Sequence, residues 1–294
     1  METAIHYPLG KSFKNPKYTS CSYQELNSLS NSYARGLLEF GIEPGTRAAM
    51  MLTPGLDFFA MFFAMFRAGI VPVLIDPGIG MKPLKQCLAE ASPKAFIGVT
   101  KAQFARKILG WAKESCEQIV TAGPSMGFGG TNLKKLRAMG ERSSGDILHA
   151  SKPEDMAAIL FTSGSTGVPK GVVYRHRHFN AQVEMLRNAF DIQPGEVSLP
   201  TFPPFALFDP ALGMTTVVPA MDPTRPAKAD PEQLVKVIDE YKVTNIFGSP
   251  ALLDNLSRYM EQQKRRLESV TRVISAGAAV PIRTIRRMEN ALYQ

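Results

Sequence analysis

Short apolar runs, each followed by a segment of helical periodicity, recur along nearly the whole chain. Residues 47–52, 70–75, 95–99, 118–121, 156–161, 243–247 and 271–275 are apolar and strand-length. Between them lie helix signals. Ser22-Tyr23-Gln24-Glu25 is a capping box, with Leu26, Leu29, Tyr33 and Leu37 behind it at helical spacing. Asp230-Pro231 and Ser249-Pro250 each place a capping side chain before a proline at the first helical position. Strands of this kind read as members of a parallel sheet, buried on both faces by helices. The expected fold class is therefore α/β, as two adjacent αβ layers. Residues 1–150 are expected to form the first subdomain and residues 151–294 the second. The glycine-rich stretch from 123 to about 153 reads as a linker with one short helix.

Residues 56–75 are apolar for about the length of a membrane span, yet Asp57, Arg67, Gly69 and Pro72 interrupt them. They read as a buried helix over 56–67 followed by a buried strand, so no transmembrane span is expected. Three widely spaced cysteines form no metal-binding or redox pair and fit a reducing compartment. The first twenty residues lack the apolar core of a signal peptide, and a cytoplasmic location is expected. The 34 basic residues exceed the 26 acidic ones by 8. That excess suits an anionic ligand. The clusters 264–266 and Arg283, Arg286, Arg287 read as solvated helix faces. No basic stripe with interleaved aromatics is present, so nucleic acid is not an expected partner.

The segment Phe161-Thr162-Ser163-Gly164-Ser165-Thr166-Gly167-Val168-Pro169-Lys170-Gly171 carries the chemistry. Its glycines permit close backbone approach, and successive N–H groups there can converge on an anion. Thr162, Ser163, Ser165 and Thr166 add hydroxyls, and Lys170 adds a full positive charge. The set suits a triphosphate. A Walker loop would carry Ser or Thr after the lysine and open a helix. Here Gly171 and an apolar run follow, so a loop between two strands is expected.

This segment resembles the signature phosphate loop of the adenylate-forming superfamily, which includes acyl-CoA synthetases and peptide-synthetase adenylation domains. Three further stretches resemble that family's motifs, in order. They are Tyr23-Gln24-Glu25-Leu26-Asn27, Arg67-Ala68-Gly69 through Asp76-Pro77, and Ser275-Ala276-Gly277-Ala278-Ala279-Val280-Pro281. Within the superfamily, residues 172–179, 203–210 and 221–226 are most similar to the bacterial olefin-biosynthesis β-lactone synthetases, which are commonly labelled fatty-acid–CoA ligases.

The resemblance implies ATP-dependent activation of a long-chain, β-hydroxy fatty acid as its acyl-adenylate. A β-lactone forms if the substrate's own hydroxyl then attacks, an acyl-CoA if CoA does. ATP and Mg²⁺ are the implied cofactors, with CoA as a candidate co-substrate and a small carboxylic acid as the partner. Thr162, Ser163, Gly164, Ser165, Thr166, Gly167 and Lys170 are expected at the ATP phosphates, with Thr166 also touching Mg²⁺. Gly277, Ala278 and Ala279 are expected at adenine. Phe205, Phe208 and Phe247 are candidates for an acyl pocket. His176 reads mainly as a packing residue at a helix start, His178 as structural, and Asp209 as a helix cap. The family's aromatic-Gly-x-Thr-Glu motif, ribose-binding aspartate and small C-terminal domain with its catalytic lysine do not appear in these 294 residues. The expectation is thus a C-terminally truncated ligase, inactive alone unless a complementing fragment joins it. The alternative is a non-catalytic remnant that binds nucleotide weakly.

Overall fold

A computed structural model describes residues 2–10, 12–162 and 169–292. In chain order, the first part contains β1 (Thr3–Leu9), β2 (Lys17–Ser22), α1 (Tyr23–Glu39), β3 (Arg47–Met51), α2 (Leu56–Arg67), β4 (Val71–Ile75), α3 (Met81–Ala91), β5 (Ala95–Val99) and α4 (Thr100–Leu109). There follow β6 (Gln118–Ala122), β7 (Thr131–Asn132), α5 (Leu133–Gly140), β8 (Met156–Thr162), β9 (Lys170–Arg175) and α6 (His176–Phe190). The last part contains β10 (Val197–Pro200), α7 (Pro203–Ala206), α8 (Asp209–Leu212), β11 (Thr215–Val217), α9 (Pro231–Tyr241), β12 (Asn245–Phe247), α10 (Pro250–Gln263), β13 (Arg272–Ile274) and α11 (Ile282–Ala291).

These elements form two compact units. One comprises Gln24–Gln182 and the other Met1–Tyr23 with Val183–Gln294. The break expected at residue 150 lies elsewhere. Strand β8 pairs with β4 and carries β9 with it into the sheet of Gln24–Gln182. Conversely, β1 pairs with β11 and brings β2 into the other unit's sheet. Ladder pairing, which satisfies a whole row of backbone groups, outweighs the glycine-rich stretch at 123–153 as a divider.

The central unit holds a sheet in the order β7-β6-β5-β3-β4-β8-β9. Every pairing is parallel except β8 with β9. All residues of β4 are buried, as expected of a parallel strand covered on both faces. Helix α2 is buried at the consecutive residues Phe58 to Phe62, so it is covered on nearly every side. Together α2 and β4 account for the apolar stretch that resembles a span by length. No helix among the described residues is long and apolar enough to cross a membrane. Helices α1 and α5 touch through glycine. A Cβ on Gly36 would stand 2.1 Å from the Leu136 carbonyl oxygen, and one on Gly140 would stand 1.8 Å from that of Ser32.

The terminal unit holds a sheet in the order β13-β12-β10-β11-β1-β2, parallel except for the β1–β2 hairpin. Its core joins Leu199, Val217, Val235, Ile238, Ile246, Leu252 and Leu256 from strands and helices of that unit with Leu267 from the segment after α10. Two expected caps form. Asp230 accepts from the Glu232 N–H at 3.0 Å, and Ser249 accepts from the Leu252 N–H at 3.4 Å.

Candidate nucleotide and acid site

In the central unit, the functional candidate is the turn of the β8–β9 hairpin. The register pairs Phe161 with Gly171 and Thr162 with Lys170, and Ile75 of β4 pairs with Phe161. The carboxyl ends of the parallel strands β4 and β8 therefore open at one edge of the sheet, where ligands of α/β proteins bind. Gly171 continues the strand, as the sequence requires of a loop between two strands. Phe161 is buried in the core and lies across Gly171. A Cβ there would meet its ring at 3.0 Å and Glu90 of α3 at 3.4 Å. A buried aromatic thus pins both ends of the turn. Lys170 is the first residue of β9 and is exposed.

Ser163, Gly164, Ser165, Thr166 and Gly167 lie outside the described residues, and so does the side chain of Thr162. Among the described residues, no three His, Cys, Asp or Glu side chains gather into a metal-binding group.

His176 begins α6 at the other end of β9 from this turn. Six strand residues separate them, roughly 20 Å at ~3.3 Å per residue. Its ring packs edge-on to Phe66 at 5.5 Å, and burial holds its pKa below the usual imidazole value. His178 accepts from the Arg175 N–H at 3.1 Å. Both histidines serve the strand-to-helix junction. The first two motifs meet away from the turn as well, where the Arg67 guanidinium donates to Asn27 Oδ1.

In the terminal unit, the carboxyl ends of β10, β12 and β13 line up side by side. The Thr201 N–H and hydroxyl both donate to the Phe247 carbonyl at 2.9 Å. The Gly248 N–H donates to the Ile274 carbonyl at 3.0 Å. These bonds hold an aromatic shelf. Phe205 stacks on Phe247 with centroids 4.1 Å apart at 19°, and Phe202 lies 5.7 Å from Phe205. Phe202 and Phe205 remain partly open to solvent at 36% and 38%. The segment Gly277, Ala278, Ala279 follows β13 and is exposed, with Gly277 at φ 95°. Beside it, the Ser275 hydroxyl is buried and has no hydrogen-bond partner among the described residues.

Phe208 stands apart from the Phe205–Phe247 stack and packs with Ile192, Leu212 and Met214. Asp209 does not cap α8. Phe208 occupies the cap position and Asp209 is the first helical residue. The Asp209 carboxylate turns inward, accepts from the Thr216 hydroxyl at 3.0 Å and is also bonded by Ser198. Burial drives its pKa up to about 7. Phe202 and Thr201 carry no sequence signal as site residues, because their places on the shelf arise only when separate strand ends are aligned, whereas Ser275 opens the stretch that resembles the adenine loop.

The basic cluster 264–266 and Arg287 come together elsewhere in this unit. A cavity of about 220 Å³ there is lined by Lys264, Arg265, Arg266, Arg287 and Asn290. Arg265 pairs with Asp239 at 2.7 Å and Arg287 with Asp254 at 2.5 Å, so part of this charge is neutralised within the unit.

The family described as AMP-binding enzyme matches residues 2–294. The olefin beta-lactone synthetase of Stenotrophomonas maltophilia (strain K279a) is 54% identical over 269 residues, covering 90% of this chain and 48% of that protein. The olefin beta-lactone synthetase of Xanthomonas campestris pv. campestris is 55% identical over 260 residues, covering 88% of this chain and 46% of that protein. Among solved structures, an acyl-CoA synthetase of Brucella canis superposes with a TM-score of 0.83 at 20% identity, covering 99% of this chain and 52% of the other. The chain spans about half the length of the curated relatives it matches.

Proposed function

Because the chain belongs to the AMP-binding enzyme family, we propose that it supplies the nucleotide- and acid-binding part of a ligase that converts a long-chain β-hydroxy acid to a β-lactone through its acyl-adenylate. The observation that carries this reading is the identity above one half with olefin beta-lactone synthetases over nearly the whole chain. It rests also on a phosphate-loop composition seated between two strands.

In the first step, a carboxylate oxygen attacks the α-phosphorus of ATP. A P–O bond forms, the α–β P–O bond breaks, and pyrophosphate leaves with the electron pair. Both reactants are anions, so the work is positioning and charge neutralisation. Lys170 and the N–H groups of 162–167 serve the β and γ phosphates, whose charge grows as pyrophosphate departs. Thr162, Ser163, Ser165 and Thr166 add hydroxyl donors, and magnesium enters bound to ATP. In the second step, the β-hydroxyl oxygen attacks the acyl carbon, AMP leaves with the pair, and the hydroxyl proton passes to solvent. Phe205 and Phe247 give the alkyl chain an apolar shelf, and Gly277, Ala278 and Ala279 face adenine. A cytoplasmic location goes with this reading.

The test is titration of non-hydrolysable acyl-sulfamoyl-adenosines into the 294-residue chain. A buried methylene is worth ~0.8 kcal/mol, so four additional buried methylenes should tighten binding roughly two-hundredfold. The long-chain 3-hydroxyacyl compound should far exceed the acetyl compound. Equal affinities would remove the long-chain reading. Preference for a compound carrying a pantetheine arm would redirect the second step to CoA.

A further inference from the structure

The β1–β2 hairpin has a chemistry that the proposed reaction leaves unused. Its base is firmly held. The Ala220 N–H donates to the Tyr18 hydroxyl at 3.1 Å, and the Tyr241 ring lies 5.4 Å from Tyr18 and 4.4 Å from His6. The tip differs. Its bonds are local, with the Ser12 hydroxyl donating to the Lys14 carbonyl at 3.0 Å and accepting from the Lys14 N–H at 3.3 Å. Leu9 is 53% exposed and Phe13 51%. Lys14 and Lys17 are exposed too, and neither is in an ion pair among the described residues.

The antiparallel register sets Lys17 opposite Leu9, so the two share one face of the hairpin. From Thr3 to Gln24 the sequence holds Lys11, Lys14 and Lys17 and no acidic residue. Strand β2 is the outer strand of its sheet. Single exposed apolar residues are ordinary on a soluble protein. Leu9 at the end of β1 and Phe13 in the turn that follows, with Lys14 and Lys17 beside them and no acidic residue from Thr3 to Gln24, form a different surface. They combine apolar area with attraction to anions, the pairing that holds a peripheral protein at a lipid interface. The tip carries two exposed apolar side chains at the end of a hairpin on the outer edge of its sheet. It suits a yielding surface into which side chains sink better than a rigid protein face, which would have to offer a matching cavity.

We propose that this hairpin tip docks on anionic lipid bilayers, with Leu9 and Phe13 entering the headgroup–acyl boundary and Lys14 and Lys17 meeting lipid phosphates. The inference is independent of the proposed reaction, since it uses no residue of the nucleotide or acid site.

The test is sedimentation of the 294-residue chain with vesicles of phosphatidylcholine alone, or with phosphatidylglycerol added. Binding is expected only with phosphatidylglycerol, weakening as salt rises. A basic residue near an anionic surface contributes ~1 kcal/mol, roughly fivefold, so Lys14→Gln with Lys17→Gln should weaken binding by about 25-fold. Phe13→Ser should weaken it several-fold without altering its salt dependence. Arg283→Gln with Arg286→Gln, which removes the same charge elsewhere, should leave it nearly unchanged. No binding to phosphatidylglycerol vesicles would overturn the proposal. So would equal losses from the hairpin and arginine variants, because net charge alone would then explain adsorption. Loss with the lysine variant but none with Phe13→Ser would also overturn it, pointing instead to an acidic protein partner.

Discussion

The two units expose their candidate sites in different ways. In the central unit, the site is one hairpin turn, continuous in sequence and bounded by paired residues at Phe161–Gly171 and Thr162–Lys170. In the terminal unit, it is a row of strand ends, with Thr201, Phe205, Phe247 and Ser275 drawn from positions far apart in the chain. The first draws on the composition of one short segment and the single charge of Lys170. The second depends on the register of three parallel strands. Substitutions should therefore separate the two sites, affecting affinity at one and architecture at the other.

The largest effect should come from the residue that pins the hairpin. Phe161→Ala empties a buried aromatic site in the central core, and such truncations cost about 3–5 kcal/mol. Chemical denaturation of the variant should show that loss, together with loss of ATP binding. A loss below about 1 kcal/mol would mean the strand ends are held by something else.

Next in size is the buried carboxyl of the terminal unit. Burial raises the Asp209 pKa from 3.8 to about 7. A carboxyl raised in this way contributes its full stability below pH 3.8. That stability is lost as the pH climbs toward 7, because the unfolded chain releases the proton and the folded one retains it. Three pH units at ~1.4 kcal/mol each set a ceiling near 4 kcal/mol, and relaxation around the ion reduces it to on the order of 3. Asp209→Asn keeps an acceptor for Thr216 and Ser198 and should flatten this part of the stability profile between pH 4 and 7. An unchanged slope in the variant would show that Asp209 is ionised throughout.

Lys170→Ala should come third. Removing a charge-assisted contact costs about 1.5–3 kcal/mol of binding, or roughly 10- to 150-fold in ATP affinity. The side chain is exposed, so the unfolding midpoint should stay fixed. A parallel loss of stability would mean the lysine supports the fold rather than a phosphate.

The smallest effect should be that of Phe247→Ala. It removes one ring of a half-open stack, worth about 0.5–1.5 kcal/mol beyond its buried area. ATP affinity should change little, while affinity for a long-chain acyl-adenylate mimic should fall. A matching fall for ATP would place the ring at the nucleotide instead.

The same contrast governs how much the sequence discloses. The α/β alternation was legible because strands buried on both faces are apolar throughout, as β4 and β5 are. The loop between two strands was legible because Gly171 and an apolar run, not a hydroxyl residue opening a helix, follow Lys170. Strands β10 and β11 were not legible. They are three or four residues long, and Ser198 and Thr216 break their apolar pattern because they face one buried carboxyl. Asp209 before Pro210 has the form of a helix cap, and only the cradle of hydroxyls across two strands turns it inward. Phe205 and Phe208 sit three residues apart, yet one joins the stack and the other a separate core, because the chain turns between α7 and α8. The exchange of β1–β2 and β8–β9 between units is a pairing outcome with no compositional mark.

Residues 162–170 are proposed as a phosphate site. Calorimetric titration of MgATP and of adenosine into the folded 294-residue chain tests it most directly. Measurable ATP binding is expected, at least about tenfold tighter than adenosine, as a charge-assisted phosphate contact requires. Equal affinity for the two ligands would contradict it.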